Sequence, residues 1–383
     1  MFNDVFQNMV TYIGKQADSN AIVDGTDFIK MLSIDMIGYV GLGVQVNSFQ
    51  NPDSEFRNQA NNLVETWRFL LIALIVPVAS FFKMGAWNPK AAEFFEMIGK
   101  QAIQSRKRGK IEGKDVLGSL VKANEEEPDV MTDEMLKFTI INLIVDGYNT
   151  ISDALTNLLY LLAVHPEVQV KAQSEIDAIF EEKDNGKILN ISVLHSNLYP
   201  YLMRICKQNF KILLLGLNSF VEDENKINLN DADIGKLNYV EMVIQESVRY
   251  VNLAATFRRC TKPWKIPDTD ITIPVGADIV IPIFSLHRDP EYWDDPEEFI
   301  PERFAPENKA KIRNGTYQPF GQGPRQCLGY NYVRYVIKLT VAYLLRNFNI
   351  ENPENLPQKF DFNPETFLPT PKDALKVRFT RRT

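Results

Sequence analysis

The longest helical stretch of apolar character lies between Thr132 and Val164, and it constrains the fold more than any other feature of the sequence. Thr132 can cap this stretch, Glu134 places an acidic group in its first turn, and Pro166 follows its end. The segments FTIINLIV and ALTNLLYLLAV within it are too apolar for a helix on a protein surface. We therefore predict one long helix that runs through the middle of the molecule.

The patterns around this helix predict a mainly helical chain with a small β portion. Apolar residues recur at helical spacing in residues 27–40, 91–108, 237–250 and 329–348. Residues 256–283 instead alternate β-branched runs with Pro- and Asp-rich turns, as short strands do. Residues 285–318 have no period, and a loop of that length inside a compact domain is usually functional. Together these patterns predict an α+β fold that is mainly helical.

The composition excludes several classes of protein. The 383 residues include 42 basic and 49 acidic side chains, and the net charge of −7 argues against bulk binding of nucleic acid. Three cysteines, Cys206, Cys260 and Cys327, cannot form a disulfide framework, and three scattered histidines exclude a His-rich metal site. No run reaches the roughly 18 apolar residues of a membrane span. The nearest, residues 69–82, indicates a buried or interfacial segment.

The strongest chemical signal is the segment FGQGPRQCLG, residues 320–329. Two glycines precede Cys327, a third follows it, and a helix is predicted directly afterwards. Such a loop brings a thiol to a helix N-terminus, where the helix dipole and free backbone N–H groups stabilise a negative charge on sulfur. The glycines allow the backbone to approach a large flat ligand, and Arg325 can pair with a carboxylate of that ligand. An inert free cysteine in a Gly-rich turn is the alternative.

This segment resembles the haem-binding signature of the cytochrome P450 family, F-x-x-G-x-R-x-C-x-G. Its five fixed positions are filled by Phe320, Gly323, Arg325, Cys327 and Gly329. The resemblance implies a cytochrome P450 fold and a bound haem b with Cys327 as the axial ligand of iron. A thiolate ligand of this kind favours O–O cleavage.

The family also has a Glu-x-x-Arg pair on a helix, and Glu246 and Arg249 match it. Such a pair alone is not diagnostic, since Glu and Arg three residues apart usually form a surface pair. Here it precedes the segment PERF, and the resemblance implies a buried network of Glu246, Arg249 and Arg303 that pins the long loop to the helix. In TFRRC, Arg258 matches the family position that pairs with a haem propionate, with Arg259 as a competing candidate.

The central helix carries the segment DGYNTI, residues 146–151, where the family has Ala/Gly-Gly-x-Asp/Glu-Thr-Thr/Ser beside the oxygen-binding face of haem. Gly147 and Thr150 match, and the resemblance implies that the Thr150 hydroxyl hydrogen-bonds dioxygen and helps to deliver protons. Asn149 replaces the family's acid, whereas Asp146 lies one turn before Thr150 on the same face. Either Asp146 substitutes as the acid, or it is solvated in a wet groove and proton delivery is impaired. A glycine within a helix costs roughly 1 kcal/mol relative to alanine, so some close approach should explain Gly147.

The resemblance covers residues 1–187 and 227–383, and its character is that of animal microsomal members, particularly the arthropod xenobiotic type. Such proteins run to roughly 500 residues. We therefore expect the chain to be a single partial domain, residues 1–383, without the anchor helix and first strands of the family. Residues 188–226 are apolar without a clean period and separate two polar segments, which predicts an insertion foreign to the family.

The leading hypothesis for function is a monooxygenase that inserts one atom of dioxygen into a lipophilic small molecule. No flavin or nicotinamide motif is present, which implies electrons from a separate protein. The resemblance implies that this partner is an NADPH-dependent flavoprotein reductase and that the protein lies at the cytosolic face of the endoplasmic reticulum membrane. Lys309, Lys311 and Arg313 are either a contact surface for that acidic partner or a solvated loop. The alternative hypothesis is a catalytically silent or incomplete remnant that binds haem poorly or not at all. The substrate class follows from apolar residues expected to line the pocket: 140–144, 251–256 and 366–368.

Overall fold

The computed structural model describes residues 2–65, 87–108, 115–129, 131–182, 229–251, 255–359, 369–372 and 374–382. The apolar run at residues 69–82 and the predicted insertion at residues 188–226 lie outside these ranges. The described part is mainly helical with three small antiparallel sheets, which confirms the predicted fold class. Among its helices, none combines the length and the apolar character needed to cross a membrane.

The helices follow the sequence patterns closely, and capping residues set several of their ends. Asp24 accepts a hydrogen bond from the Asp27 N–H at 3.0 Å at the start of one helix, and Gly43, with φ of 64°, ends the same helix. The bounds of the helices are Phe2–Asp18, Gly25–Leu42, Glu55–Asn62, Pro89–Lys107, Val116–Glu126, Asp133–Ile144, Thr150–Val164, 166–182, Asp231–Lys236, Asn238–Tyr250, Ile283–Leu286 and Tyr330–Asn347.

The strands of the described residues form three separate sheets. The strand bounds are β1 Ile22–Asp24, β2 Thr256–Arg259, β3 Trp264–Lys265, β4 Thr272–Ile273, β5 Asp278–Ile281, β6 Phe348–Glu351 and β7 Lys376–Arg381. Strand β7 pairs with both β1 and β6, β2 pairs with β5, and β3 pairs with β4, all antiparallel.

The helix that begins at Thr132 passes through both hydrophobic clusters of the core, as predicted. Its second half, Thr150–Val164, belongs to the larger cluster, whereas its first half belongs to the smaller one. The smaller cluster buries Ile140, Ile141 and Ile144, which were expected to line a substrate pocket. Their burial stabilises the core by removing apolar surface from water.

The central helix is not continuous α-helix. Between Asp133–Ile144 and Thr150–Val164, residues Val145–Asn149 form a wide π-helical turn, which the sequence pattern did not predict. At Gly147, a Cβ atom would lie 2.5 Å from the Cδ1 of Ile37 on a neighbouring helix. The predicted close approach at this glycine is therefore the side chain of a packed helix.

Helix Asn238–Tyr250 begins without a capping side chain of its own. Glu175, on the helix of residues 166–182, supplies the cap from outside. Its carboxylate accepts hydrogen bonds from the backbone N–H groups of Asn238 and Tyr239 at 2.7 Å and of Val240 at 3.0 Å. Because the first N–H groups of a helix have no partners within it, this carboxylate stabilises the helix that carries Glu246 and Arg249.

Candidate functional site

The segment of residues 320–329, here called the cysteine loop, is a tight turn held by its own backbone. Gly321 and Gly323 have φ of 73° and 77°, values that side-chain-bearing residues rarely adopt. The Cys327 N–H donates to the Phe320 carbonyl at 2.9 Å, which closes the loop. Helix Tyr330–Asn347 begins directly after Gly329, so the Cys327 thiol lies at a helix N-terminus, as the sequence predicts.

The cysteine loop presents an open face. Cys327 is exposed, Leu328 is fully exposed, and a Cβ atom at Gly323 would meet nothing within 4 Å. Phe320 packs edge-on against Tyr330, with ring centroids 4.9 Å apart, and anchors the loop to the helix.

The guanidinium groups of Arg258 and Arg325 suit a ligand with carboxylates. Arg325 is exposed, and Arg258 on β2 donates to the Phe257 carbonyl at 2.8 Å. Within the described residues, neither guanidinium forms an ion pair with an acidic side chain. Arg259, the competing candidate, instead pairs with Asp278 across the sheet, with Nε to Oδ1 at 2.7 Å. The register of β2 and β5 therefore favours Arg258 over Arg259 as a partner for a ligand carboxylate.

Glu246, Arg249 and Arg303 form a single contact network, here called the buried network. Glu246 and Arg249 are both fully buried, and two parallel hydrogen bonds of 2.7 and 2.8 Å join the guanidinium to the carboxylate. The Arg303 Nε lies 3.3 Å from Oε1 of the same carboxylate. The structure thus brings together the three residues that the resemblance grouped.

The remaining groups of the buried network are paired with the backbone of the long loop. Arg249 donates to the carbonyls of His287 at 2.8 Å, Pro296 at 3.0 Å and Glu298 at 3.1 Å. Glu246 accepts a hydrogen bond from the Ile300 N–H at 2.9 Å. Buried charges are tolerated only when they are paired and hydrogen-bonded, so these contacts fix the course of a loop that has no periodic structure.

His287 belongs to the same assembly, although sequence reasoning did not single it out. The imidazole is fully buried, and its Nε2 accepts a hydrogen bond from the Gln318 N–H at 2.9 Å, two residues before the cysteine loop. Its ring stacks on Tyr317, whose hydroxyl donates to the Gln245 carbonyl at 3.0 Å. Burial, reinforced by the Arg249 charge, lowers the pKa of His287 to about 3. The neutral ring thus links the buried network to the cysteine loop.

The wide turn places Asp146 and Thr150 on an exposed face of the central helix. The Thr150 hydroxyl donates to the Asp146 carbonyl, and Asn149 Nδ2 donates to the Val145 carbonyl at 3.3 Å. The Asp146 carboxyl is accessible from solvent, yet the surrounding protein desolvates it enough to raise its pKa above the ordinary range. One carboxyl and one hydroxyl thus lie on the same exposed face, and the Thr150 hydroxyl and the Asn149 amide both donate to backbone carbonyls of the preceding turn.

The comparison with known families agrees with this site. The profile of the family described as Cytochrome P450 matches residues 1–207 and 217–377. The chain therefore belongs to the cytochrome P450 family, whose members hold haem iron through a cysteine thiolate.

Individual relatives are distant in sequence but cover nearly the whole chain. Probable cytochrome P450 6a13 of Drosophila melanogaster is 26% identical over 93% of this chain and 65% of its own length. Probable cytochrome P450 6d4 of the same organism is 28% identical over 99% of this chain and 70% of its own length. Cytochrome P450 3A25 of Mus musculus is 26% identical over 96% of this chain and 67% of its own length. The chain thus spans about two thirds of the length of these relatives.

The burial of neutral His287 predicts a pH dependence of stability. The unfolded histidine titrates near 6.5 and the folded one at about 3, so its contribution is complete above pH 6.5 and is lost as the pH falls toward 3. Linkage gives a loss of about 2 kcal/mol between pH 7.5 and 5 from this group. In His287→Gln, which retains an acceptor but does not titrate, urea unfolding should show a correspondingly smaller loss over this range. Parallel stability curves for the two proteins would show that His287 is protonated in the fold.

Proposed function

We propose that the protein is a haem-thiolate monooxygenase. In the reaction, a lipophilic substrate R–H, dioxygen, two electrons and two protons give R–OH and water. The observation that supports this most strongly is the exposed Cys327 thiol at the start of a buried helix, in a loop that the buried network holds from behind. Haem, when bound, supplies the iron chemistry that activates dioxygen.

The residues on the open face suit haem b by their chemistry. Cys327 offers the soft thiolate that iron binds, and Arg258 and Arg325 offer guanidinium groups for two propionates. Gly323 and Gly329 have no side chain that would hinder the approach of a flat ring to the backbone. Phe320 packs against Tyr330 and so stabilises the loop. Each of these residues acts here by binding or by shaping the face.

For proton delivery we propose Thr150 and Asp146, with Asn149 in a structural role. A general acid must release a proton near the working pH, and the raised pKa of the Asp146 carboxyl moves it in that direction. The Thr150 oxygen can accept a proton from Asp146 and pass on its own once the hydroxyl turns away from the Asp146 carbonyl. Asn149 cannot titrate, and its amide instead donates to the Val145 carbonyl.

We propose electron supply by an NADPH-dependent flavoprotein reductase at the cytosolic face of the endoplasmic reticulum, in line with the microsomal character of the sequence motifs. Lys309 and Lys311 are exposed, and Arg313 pairs only weakly with exposed Glu291, at 3.5 Å. These cations precede the cysteine loop in the sequence and are available to an acidic partner.

Replacement of the iron ligand tests the proposed function. The reduced, carbon-monoxide-bound protein should absorb at about 450 nm, as thiolate ligation requires, and Cys327→Ser should abolish that band. Cys260→Ser is the matched control, because this thiol is buried and bonded to the Lys262 carbonyl at 2.8 Å. A band that disappears in Cys260→Ser and persists in Cys327→Ser would refute the assignment. Its absence from the unaltered protein with haem supplied would favour the silent remnant.

A second prediction concerns Asp146. General acid catalysis contributes about 10²–10⁴ in rate, so Asp146→Ala should lower product formed per NADPH consumed at least severalfold and divert oxygen to hydrogen peroxide. Asn149→Asp should change this ratio less, because Asn149 acts through the backbone. The measurement is product and peroxide per NADPH in the reconstituted enzyme. An unchanged ratio in Asp146→Ala would make Asp146 a bystander.

A further inference from the structure

The wide turn of the central helix is stabilised from inside by side chains that bond its carbonyls. Asn149 donates to the Val145 carbonyl at 3.3 Å, Thr150 donates to the Asp146 carbonyl, and the Ser152 hydroxyl donates to the Tyr148 carbonyl at 2.7 Å. A π-helical turn disrupts the regular i→i−4 ladder, and such turns occur frequently at functional sites. These bonds satisfy carbonyls of the turn, but they do not fix its orientation relative to the rest of the protein.

One side chain of the turn reaches another helix. Tyr148, in the middle of Val145–Asn149, is 1% exposed, and its hydroxyl donates to the Oδ1 of Asn61. Asn61 lies in the last turn of helix Glu55–Asn62, and most of its side chain faces solvent. The bond therefore ties the turn to an element outside the central helix, through a partner whose replacement leaves the core intact.

A second contact acts near the same point. Gly147 lies against Ile37 of helix Gly25–Leu42, so closely that a Cβ atom could not be added without a shift. Burial raises the pKa of Tyr148 further above its already high ordinary value, so the phenol remains a hydrogen-bond donor throughout the working pH range. Two neighbouring residues of the turn are thus held by two different helices, while Asp146 and Thr150 remain exposed.

This geometry matters because a π-helical turn holds more residues than the 3.6 of an α-helical turn. Asp146 precedes the centre of the wide turn and Thr150 follows it. Residues four apart also share a face in a regular α-helix, so a change from π to α geometry would keep the carboxyl and the hydroxyl on one side of the helix but would rotate one relative to the other about the helix axis.

We propose that Tyr148 and Asn61 are positioning residues, whose hydrogen bond holds the wide turn open and so sets the orientation of the Asp146 carboxyl relative to the Thr150 hydroxyl. The role in proton delivery rests on the proposed function, whereas the effect on the turn does not. Neither residue touches the reacting atoms in this account; both act through the turn.

The test combines hydrogen exchange with the ratio of product to peroxide. Loss of one hydrogen bond should make backbone amides of residues 145–152 exchange about two- to tenfold faster in Tyr148→Phe and in Asn61→Leu. In the reconstituted enzyme, the same variants should at least double the share of electrons that end in peroxide. Asn61→Asp, which retains the acceptor oxygen, should remain close to the unaltered protein in both measurements.

Tyr160→Phe is the matched control, because it removes a buried phenol of the same helix that donates to the Pro357 carbonyl at 2.6 Å. It should leave exchange in residues 145–152 and the peroxide share unchanged. Unchanged exchange there in both Tyr148→Phe and Asn61→Leu would overturn the proposal. Faster exchange with an unaltered peroxide share would overturn the positioning role and leave a purely structural bond.

The exchange measurement does not depend on haem or turnover. If the unaltered protein shows no band at about 450 nm, the proposed function fails, while exchange still decides whether the bond holds the turn. If the band and turnover are present and exchange does not respond, the inference about Tyr148 and Asn61 fails alone.

Discussion

The fully buried pair of Glu246 and Arg249 is the interaction on which the candidate site depends. Removing two charges from water costs several kcal/mol for each ion, and mutual attraction offsets this only when the remaining donors and acceptors are also bonded. Backbone carbonyl and N–H groups between His287 and Ile300, in a loop without regular structure, bond these remaining donors and acceptors. The pair therefore requires the loop to follow one course. Through His287 and Gln318, that course continues to the start of the cysteine loop.

The two sides of the proposed haem pocket are built by different means. On the Cys327 side, glycines permit an unusual backbone and the buried network holds it from behind. On the Thr150 side, an ordinary helix is opened by a wide turn whose carbonyls are satisfied by its own side chains. The first arrangement gives rigidity around a fixed ligand atom. The second leaves a carboxyl and a hydroxyl exposed on one face, where protons must move.

Sequence patterns predicted those parts of the structure that depend on local preference. The helix capped by Thr132 follows from apolar period and capping, helix Asn238–Tyr250 follows from apolar period alone, and the cysteine loop follows from its glycines. The wide turn was missed because residues 145–149 also suit a regular helix, and only contacts with Ile37 and Asn61 distinguish the two. Likewise, no sequence signal marks His287, because its role as a neutral link to the cysteine loop arises from its complete burial. The choice of Arg258 over Arg259 needed the strand register, which a single strand does not reveal.

The most direct test of this account is hydrogen exchange in Arg303→Met, with haem content measured on the same sample. Arg303 contacts Glu246 from the loop, and its removal leaves the Glu246–Arg249 pair intact. Arg313→Met is the control, since that arginine lies in the same segment but its contacts with Glu291 and the Tyr292 ring are on the surface. The account predicts faster exchange in residues 294–327 and loss of haem in Arg303→Met alone, with helix Asn238–Tyr250 still protected. Unchanged exchange and full haem content in Arg303→Met would contradict the claim that the buried network holds the site.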